Sequence, residues 1–392
     1  MTPGSATPAD RVTFRLEATD RETGARAGVL ETPHGPVPTP AFLPVGTQAS
    51  VKTVAPWELE EIGAPILLAN TYHLFLRPGH ETVRALGGLH RFMSWDRAIL
   101  TDSGGFQVMS LADLNKITDE GVTFRSHLDG SARFLSPEIA MEVQLALGAD
   151  VVMAFDQCAR WPVEHGDAAI AERRTLAWAA RSRRRVLDLQ GSVEGPCAVF
   201  GIVQGATYPD LRRTSAAAIV DLDFPGYAVG GLSVGEPKPA MWDVLALTTE
   251  LLPAERPRYL MGVGFPEDLL EGVARGVDLF DCVMPTRNAR KGTVFTSRGR
   301  LVVKNAAFAR DESPLDPDCG CPVCRRVTRA YVRHLFATGE LLAMRLASLH
   351  SLAFYLDLMR RAREAILAGR FAAFRRDTLA RLREACGGTE SA

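Results

Sequence analysis

The sequence predicts an α/β fold, a (β/α)8 TIM barrel, on two observations. Eight short apolar runs alternate with helix-period segments, and reactive side chains gather just past the C-terminal ends of those runs. The runs lie near 41–45 (AFLPV), 65–69 (PILLA), 98–101 (AILT), 151–155 (VVMAF), 198–203 (AVFGIV), 227–229 (YAV), 258–261 (RYLM) and 278–282 (DLFDC). Nearly all are continuously apolar, the mark of strands buried on both faces. A doubly wound open sheet is the structural alternative.

Taken in order, residues 1–11 read as a flexible N-terminus and 12–285 as the barrel. Its helices start where the chemistry demands. Ser136-Pro137-Glu138 supplies an N-cap, a first-turn proline and an early acid before IAMEVQLAL, and Pro266-Glu267-Asp268 does the same before LLEGVARGV. Residues 118–135 alternate around Asp129-Gly130, a hairpin inserted between strand three and its helix. The run Arg181-Ser182-Arg183-Arg184-Arg185 reads as one solvated helix face. After strand eight, 286–350 holds a strand-rich patch and a cysteine cluster, a C-terminal zinc-binding subdomain inserted before a helical segment, 351–392, that completes the barrel.

Composition sets limits on function. The chain has 392 residues, 46% hydrophobic and 23% charged, enough to bury a large core and unlike a disordered or collagen-like chain. No run of about 18 apolar residues is present, and the start lacks both a basic n-region and an apolar h-region. The expectation is a cytoplasmic protein with no membrane partner. The net charge of -1 hides an asymmetry: residues 281–392 carry 20 Arg/Lys against 11 Asp/Glu, and the first 280 carry 25 against 35. A basic region of that size can attract a phosphate backbone.

A barrel demands that its reactive groups come from several strand ends. Strand three ends in Asp102-Ser103-Gly104-Gly105-Phe106-Gln107, strand four in Asp156-Gln157-Cys158, and strand five in Gln204-Gly205. Strand six ends in Gly230-Gly231-Leu232-Ser233-Val234-Gly235, strand seven in Met261-Gly262-Val263-Gly264, and strand eight in Asp281, followed by a basic loop with Arg287, Arg290 and Lys291. Three carboxylates brought to one mouth repel each other unless the chemistry uses them.

Seven cysteines, an odd number, point to free thiols and metal ligands. Cys319, Cys321 and Cys324 fall within six residues, and three thiolates need a fourth N or S donor to complete a tetrahedron around Zn²⁺. His334 and His350 are the candidates. Four protein ligands leave no position for water, so this zinc would be structural, one per subunit.

Seven segments, in order, resemble the bacterial tRNA-guanine transglycosylases: DSGGFQV (102–108), FDQC (155–158), GIVQG (201–205), GGLSVGE (230–236), MGVG (261–264), FDCVMPTRNAR (280–290) and the CxCxxC with its distal histidine. The resemblance covers about residues 12–385. It implies exchange of guanine for preQ1 at the wobble position of tRNAs with GUN anticodons (Asp, Asn, His, Tyr), on the way to queuosine. Asp281 would be the nucleophile that forms a covalent ribosyl ester, and Asp102 the general acid/base. The base pocket would comprise Asp102, Ser103, Gly104, Gly105, Phe106, Asp156, Cys158, Gln204, Gly231, Leu232, Val234 and Met261. Within it Asp156 meets the amidine edge, Gln204 and the Gly231 amide meet O6, the Leu232 carbonyl meets the aminomethyl group, and Phe106 and Met261 sandwich the ring. Gly262, Val263, Gly264, Phe265, Pro266, Glu267 and Asp268 would line the anticodon loop, and Thr286, Arg287, Asn288, Ala289 and Arg290 would recognise the wobble region. The resemblance favours His350 as the fourth zinc ligand and implies a homodimer. Cys158 and Val234 fit the preQ1-using pattern better than the queuine-using one.

Other classes fit less well. A metal-dependent barrel hydrolase wants His-x-His after strand one, where this chain has Val45-Gly46-Thr47-Gln48. A retaining glycoside hydrolase uses paired carboxylates but needs no cysteine-rich basic insertion. A non-catalytic RNA-binding module leaves the convergent carboxylates unexplained.

Overall fold

The computed structural model describes residues 12–111, 115–189 and 197–384. The segment 1–11 lies outside them. Parallel pairing runs from strand eight (Leu279–Asp281) through seven (Arg258–Leu260), six (Gly226–Val229), five (Ala198–Val203), four (Val151–Met153), three (Ala98–Thr101) and two (Ile66–Ala69). Strand one supplies both ends of that order, because Ala41–Leu43 pairs with strand eight and Val45–Gly46 with strand two. Pro44 between the two halves has no N–H for the ladder, and its carbonyl accepts from Leu68 N at 3.0 Å. The sheet therefore closes on itself, which rules out the open doubly wound alternative.

The continuous apolar runs resolve into two faces. Ile66, Leu68, Ala98, Leu100, Val151, Met153, Phe200 and Ile202 fill the barrel interior, while Leu67, Ile99, Val152 and Val199 belong to the core between the strands and the surrounding helices. Successive strand residues point to opposite sides, so burial on both sides demands apolar residues at every position.

Three features depart from the sequence reading. Ahead of strand one, Thr13–Thr19, Arg26–Thr32 and Gly35–Thr39 form a three-stranded antiparallel sheet. Leu30 and Val37 of that sheet join the interior cluster, so it plugs the barrel. Arg26 fastens it, with Nε and Nη2 each donating to the Asp278 carboxylate at 2.9 Å where strand eight begins. Between strands three and four, Val122–Arg125 and Ala132–Leu135 form the predicted hairpin, and Asn115–Ile117 adds a third strand. The arginine run is also not merely solvated. Arg181 donates to both oxygens of Glu138, Arg185 bonds Glu142, and buried Ser182 accepts from Phe155 N at 3.1 Å, so the face ties helix His165–Leu189 to helix Pro137–Leu147.

Helix starts follow their local chemistry. Ser136 Oγ accepts from Ile139 N at 3.2 Å with Pro137 in the first turn, as expected. Helix Pro266–Ala274 relies on its proline and early acids alone, because Phe265 offers no side-chain cap. After strand eight come helix Met284–Arg290, the strand pair Thr293–Thr296 and Gly299–Val302, and helix Arg329–Ala337. Helix Leu341–Leu367 then packs along the barrel. It is the one described helix long and apolar enough to cross a membrane, and most of its apolar stretch is buried in the core.

Candidate functional site: three carboxylates at the barrel mouth

The C-terminal ends of the strands bring Asp102, Asp156 and Asp281 together. Each is fixed by groups from a different part of the chain. Tyr259, one residue into strand seven, donates its hydroxyl to Asp281 Oδ1 at 2.6 Å, and Gly262 N donates to the same oxygen at 2.8 Å. Among the described residues Oδ2 receives no hydrogen bond, leaving one carboxylate oxygen available for bond formation.

Asp102 sits deeper, 7% exposed. Thr71 N donates to Oδ1 at 2.9 Å and Asn70 Nδ2 to Oδ2. Burial pushes its carboxyl up to about 7, opposed by backbone hydrogen bonds from Thr71 and Gly104 and assisted by the negative charges of Asp281 and Asp156. A carboxyl poised near neutrality can both give and take a proton at working pH.

Asp156 is also buried, and burial raises it despite donors on both oxygens: Ser103 Oγ at 2.7 Å on Oδ1 and Gln204 Nε2 at 2.8 Å on Oδ2. Two glycines permit this crowding. A Cβ on Gly105 would fall 2.4 Å from the Asp156 carbonyl oxygen, and one on Gly231, whose φ is +69, would fall 2.4 Å from Gln204 Oε1. Glu236 holds the following loop, accepting from Val234 N at 2.9 Å and from Ser233 N. Phe106 is 46% exposed at the start of helix Gly105–Leu111, Met261, Cys158 and Val234 are half-buried, and Leu232 is buried. Burial pushes the Cys158 thiol up to about 12, so it remains protonated and apolar in character.

The residues expected to face RNA divide by exposure. Gly262, Phe265 and Arg287 are exposed, and Glu267, Asn288 and Arg290 are half-buried. Val263, Gly264, Pro266, Asp268, Thr286 and Ala289 are buried, so they support the loops from beneath. The Gly264 carbonyl accepts from Tyr355, and Asp268 pairs with Lys238 at 3.1 Å.

Away from the mouth, Cys319, Cys321, Cys324 and His350 place their donor atoms within 4.8 Å of one another and could hold a metal ion. His350 Nδ1 lies 3.3 Å from Cys324 Sγ and 3.7 Å from Cys321 Sγ. Its Nε2 lies 3.0 Å from the Phe295 carbonyl, which can only accept, so Nε2 carries the proton and Nδ1 presents its lone pair to the thiols. His350 is the tenth residue of helix Leu341–Leu367, so the expected boundary before a helix at 351 falls inside that helix. His334 is exposed on helix Arg329–Ala337 and is no part of the cluster. A second grouping, His34, His90 and Asp150, lies at the opposite end of the barrel, where Asp150 Oδ1 bonds His34 Nδ1 at 2.7 Å and Oδ2 accepts from Ile99 N at 2.8 Å. The imidazoles stack with centroids 3.5 Å apart, a structural tie between strand starts.

Sequence reasoning missed Asn70, Thr71 and Tyr259. Asn70-Thr71 directly follow strand two and could have been found by extending the strand-end argument to that strand. Tyr259 has no such signal, because within an apolar strand it looks like core.

A closed barrel with one carboxylate held by two donors on a single oxygen, a second carboxyl poised near neutrality and a polar slot beside them has the groups that glycosyl transfer requires. The sequence profile of the queuine tRNA-ribosyltransferase family matches residues 20–384. Relatives of that name include proteins from Pelotomaculum thermopropionicum (58% identical over 369 residues, 94% of this chain and 98% of the relative) and Thermoanaerobacter pseudethanolicus (57% over 365 residues, 93% and 96%). Another, from Geobacillus kaustophilus, is 56% identical over 368 residues, 93% of this chain and 95% of the relative. The chain belongs to this family and is a pentosyltransferase.

Proposed function

We propose that this protein exchanges guanine for preQ1 at the wobble position of tRNAs with GUN anticodons, by double displacement through a ribosyl ester on Asp281. The observation that carries the reading is the asymmetry of Asp281, whose Oδ1 is anchored by Tyr259 and Gly262 while Oδ2 has no donor among the described residues. In the first displacement Oδ2 bonds to ribose C1′ as the glycosidic bond breaks, and the departing guanine takes the electron pair and a proton from Asp102. In the second, incoming preQ1 returns a proton to Asp102 and attacks C1′, releasing Asp281. Two inversions retain configuration.

The slot between Asp156, Gln204 and Gly231 offers acceptor, amide and backbone groups to a guanine edge, with Phe106 and Met261 as its walls. Cys158 and Val234 would border the substituent that distinguishes preQ1. The exposed members of the two loops, above all Arg287 and Arg290, would bear on the anticodon loop, whose splayed bases suit such a surface. The Cys3His cluster fits Zn²⁺ by donor type and number, and would hold the post-barrel subdomain together.

Asp281→Asn tests the reading. Labelled-guanine incorporation into an anticodon stem-loop should fall at least 100-fold while RNA affinity stays within about threefold, because an amide cannot form the ester. Retention of a tenth or more of the parental rate would refute the nucleophile.

A further inference from the structure

Arg212 is fully buried on helix Pro209–Asp221, which follows strand five, and among the described residues it forms no ion pair. Its guanidinium instead donates to three carbonyl oxygens: Nη1 to Val203 at 2.9 Å, Nε to Ala206 at 2.8 Å and Nη2 to Gly230 at 2.8 Å. Val203 ends strand five and Gly230 directly follows strand six. Each is the residue immediately before a group of the base slot, Gln204 in one case and Gly231 in the other. One rigid planar fork therefore spans the two strand ends that carry those groups.

The same helix holds Gln204 a second time, since Ser215 Oγ accepts from Gln204 N at 3.1 Å. The arrangement has no slack. Gln204 Nε2 gives one of its two hydrogens to Asp156, a Cβ on Gly231 would collide with Gln204 Oε1, and Ala206 sits in the left-handed region at φ 49. Burying a cation without a contacting counter-ion is costly, and burial drops the Arg212 guanidinium to about 10, opposed in part by the nearby Cys158 and the Glu236 carboxylate. It still carries its charge at neutral pH. A packing role alone would be met by an apolar side chain at no such cost.

We propose that Arg212 is a positioning residue for base recognition: it sets the distance between Gln204 and Gly231 and so the fit of the slot to the edge of a guanine-type base. The proposal rests on the base-exchange reading above.

The test uses the full-length Arg212→Lys and Arg212→Ala variants in labelled-guanine exchange with saturating anticodon stem-loop. Lysine keeps a charge but cannot span three carbonyls in a fixed fork. KM for the base should rise at least tenfold in both variants, with kcat within about threefold of the parent and RNA affinity unchanged. Free guanidinium at about 20 mM should lower KM in the alanine variant, whose vacated site admits it, and leave the lysine variant unaltered. Parental KM in a folded variant overturns the proposal. So does a joint loss of kcat, KM and RNA affinity without rescue, or failure of both variants to fold even with guanidinium present, since each assigns Arg212 to the fold alone. A parent that incorporates no guanine would instead refute the base-exchange reading.

Discussion

Replacing Asp102 with asparagine should make the protein less sensitive to pH while abolishing its chemistry. The carboxyl is 7% exposed, and its pKa rises from an ordinary 3.8 to about 7 on folding. Between those values the unfolded chain has lost the proton and the folded chain retains it. Stability therefore falls as pH rises through that window, by about 1.4 kcal/mol per unit, and the loss is complete above pH 7. Over three units this one group can account for up to about 4 kcal/mol. Asparagine carries no proton to lose. It also forfeits the bond from Asn70 Nδ2, at a cost of about 1 kcal/mol that does not vary with pH. The difference in unfolding free energy between parent and variant, measured by urea denaturation at pH 5 and pH 8, should shift by about 2–3 kcal/mol in favour of the variant at the higher pH. Base exchange should fall about 100-fold or more, and the limb of the parental pH–rate profile near 7 should vanish. A parent–variant difference equal at the two pH values would show that Asp102 titrates normally, and the acid/base argument would fail with it.

Three further outcomes test other parts of the molecule. Cys321→Ser should reduce bound zinc from one per chain to near zero and expose 286–340 to limited proteolysis; a variant retaining its metal would remove Cys321 from the ligand set. Neutralising Arg287 and Arg290 together should flatten the log–log salt dependence of tRNA binding by about one to two units, and parallel lines of equal height would place this loop outside the RNA interface. Arg26→Met leaves Asp278 buried without its bidentate partner and should cost about 3–5 kcal/mol in unfolding free energy, with a loss under about 1 kcal/mol contradicting the role given to this pair.

Much of this molecule is written locally. The eight apolar runs, the proline and acid signals before helices Pro137–Leu147 and Pro266–Ala274, and the spacing of Cys319, Cys321 and Cys324 are short-range patterns, legible because strand burial, helix initiation and metal ligation each act over a few residues. From them follow the barrel, the strand ends carrying Asp102, Asp156 and Asp281, and the three-thiol cluster. What the chain does not write locally is which distant groups meet. Tyr259 looks like core until strand seven is set beside strand eight and its hydroxyl reaches Asp281. Arg212 looks like one more helix arginine until its helix folds back over the ends of strands five and six. The N-terminal sheet was invisible because Thr13–Thr19 is largely exposed and broken in pattern, with Leu30 and Val37 buried only by the barrel they plug. His334 and His350 are equivalent as residue types; burial in helix Leu341–Leu367 and the Phe295 carbonyl, 55 residues away in sequence, decide between them. Sequence fixes the period and the order of the elements, but the partners of a buried polar group are set by packing, which brings together residues that no local pattern connects.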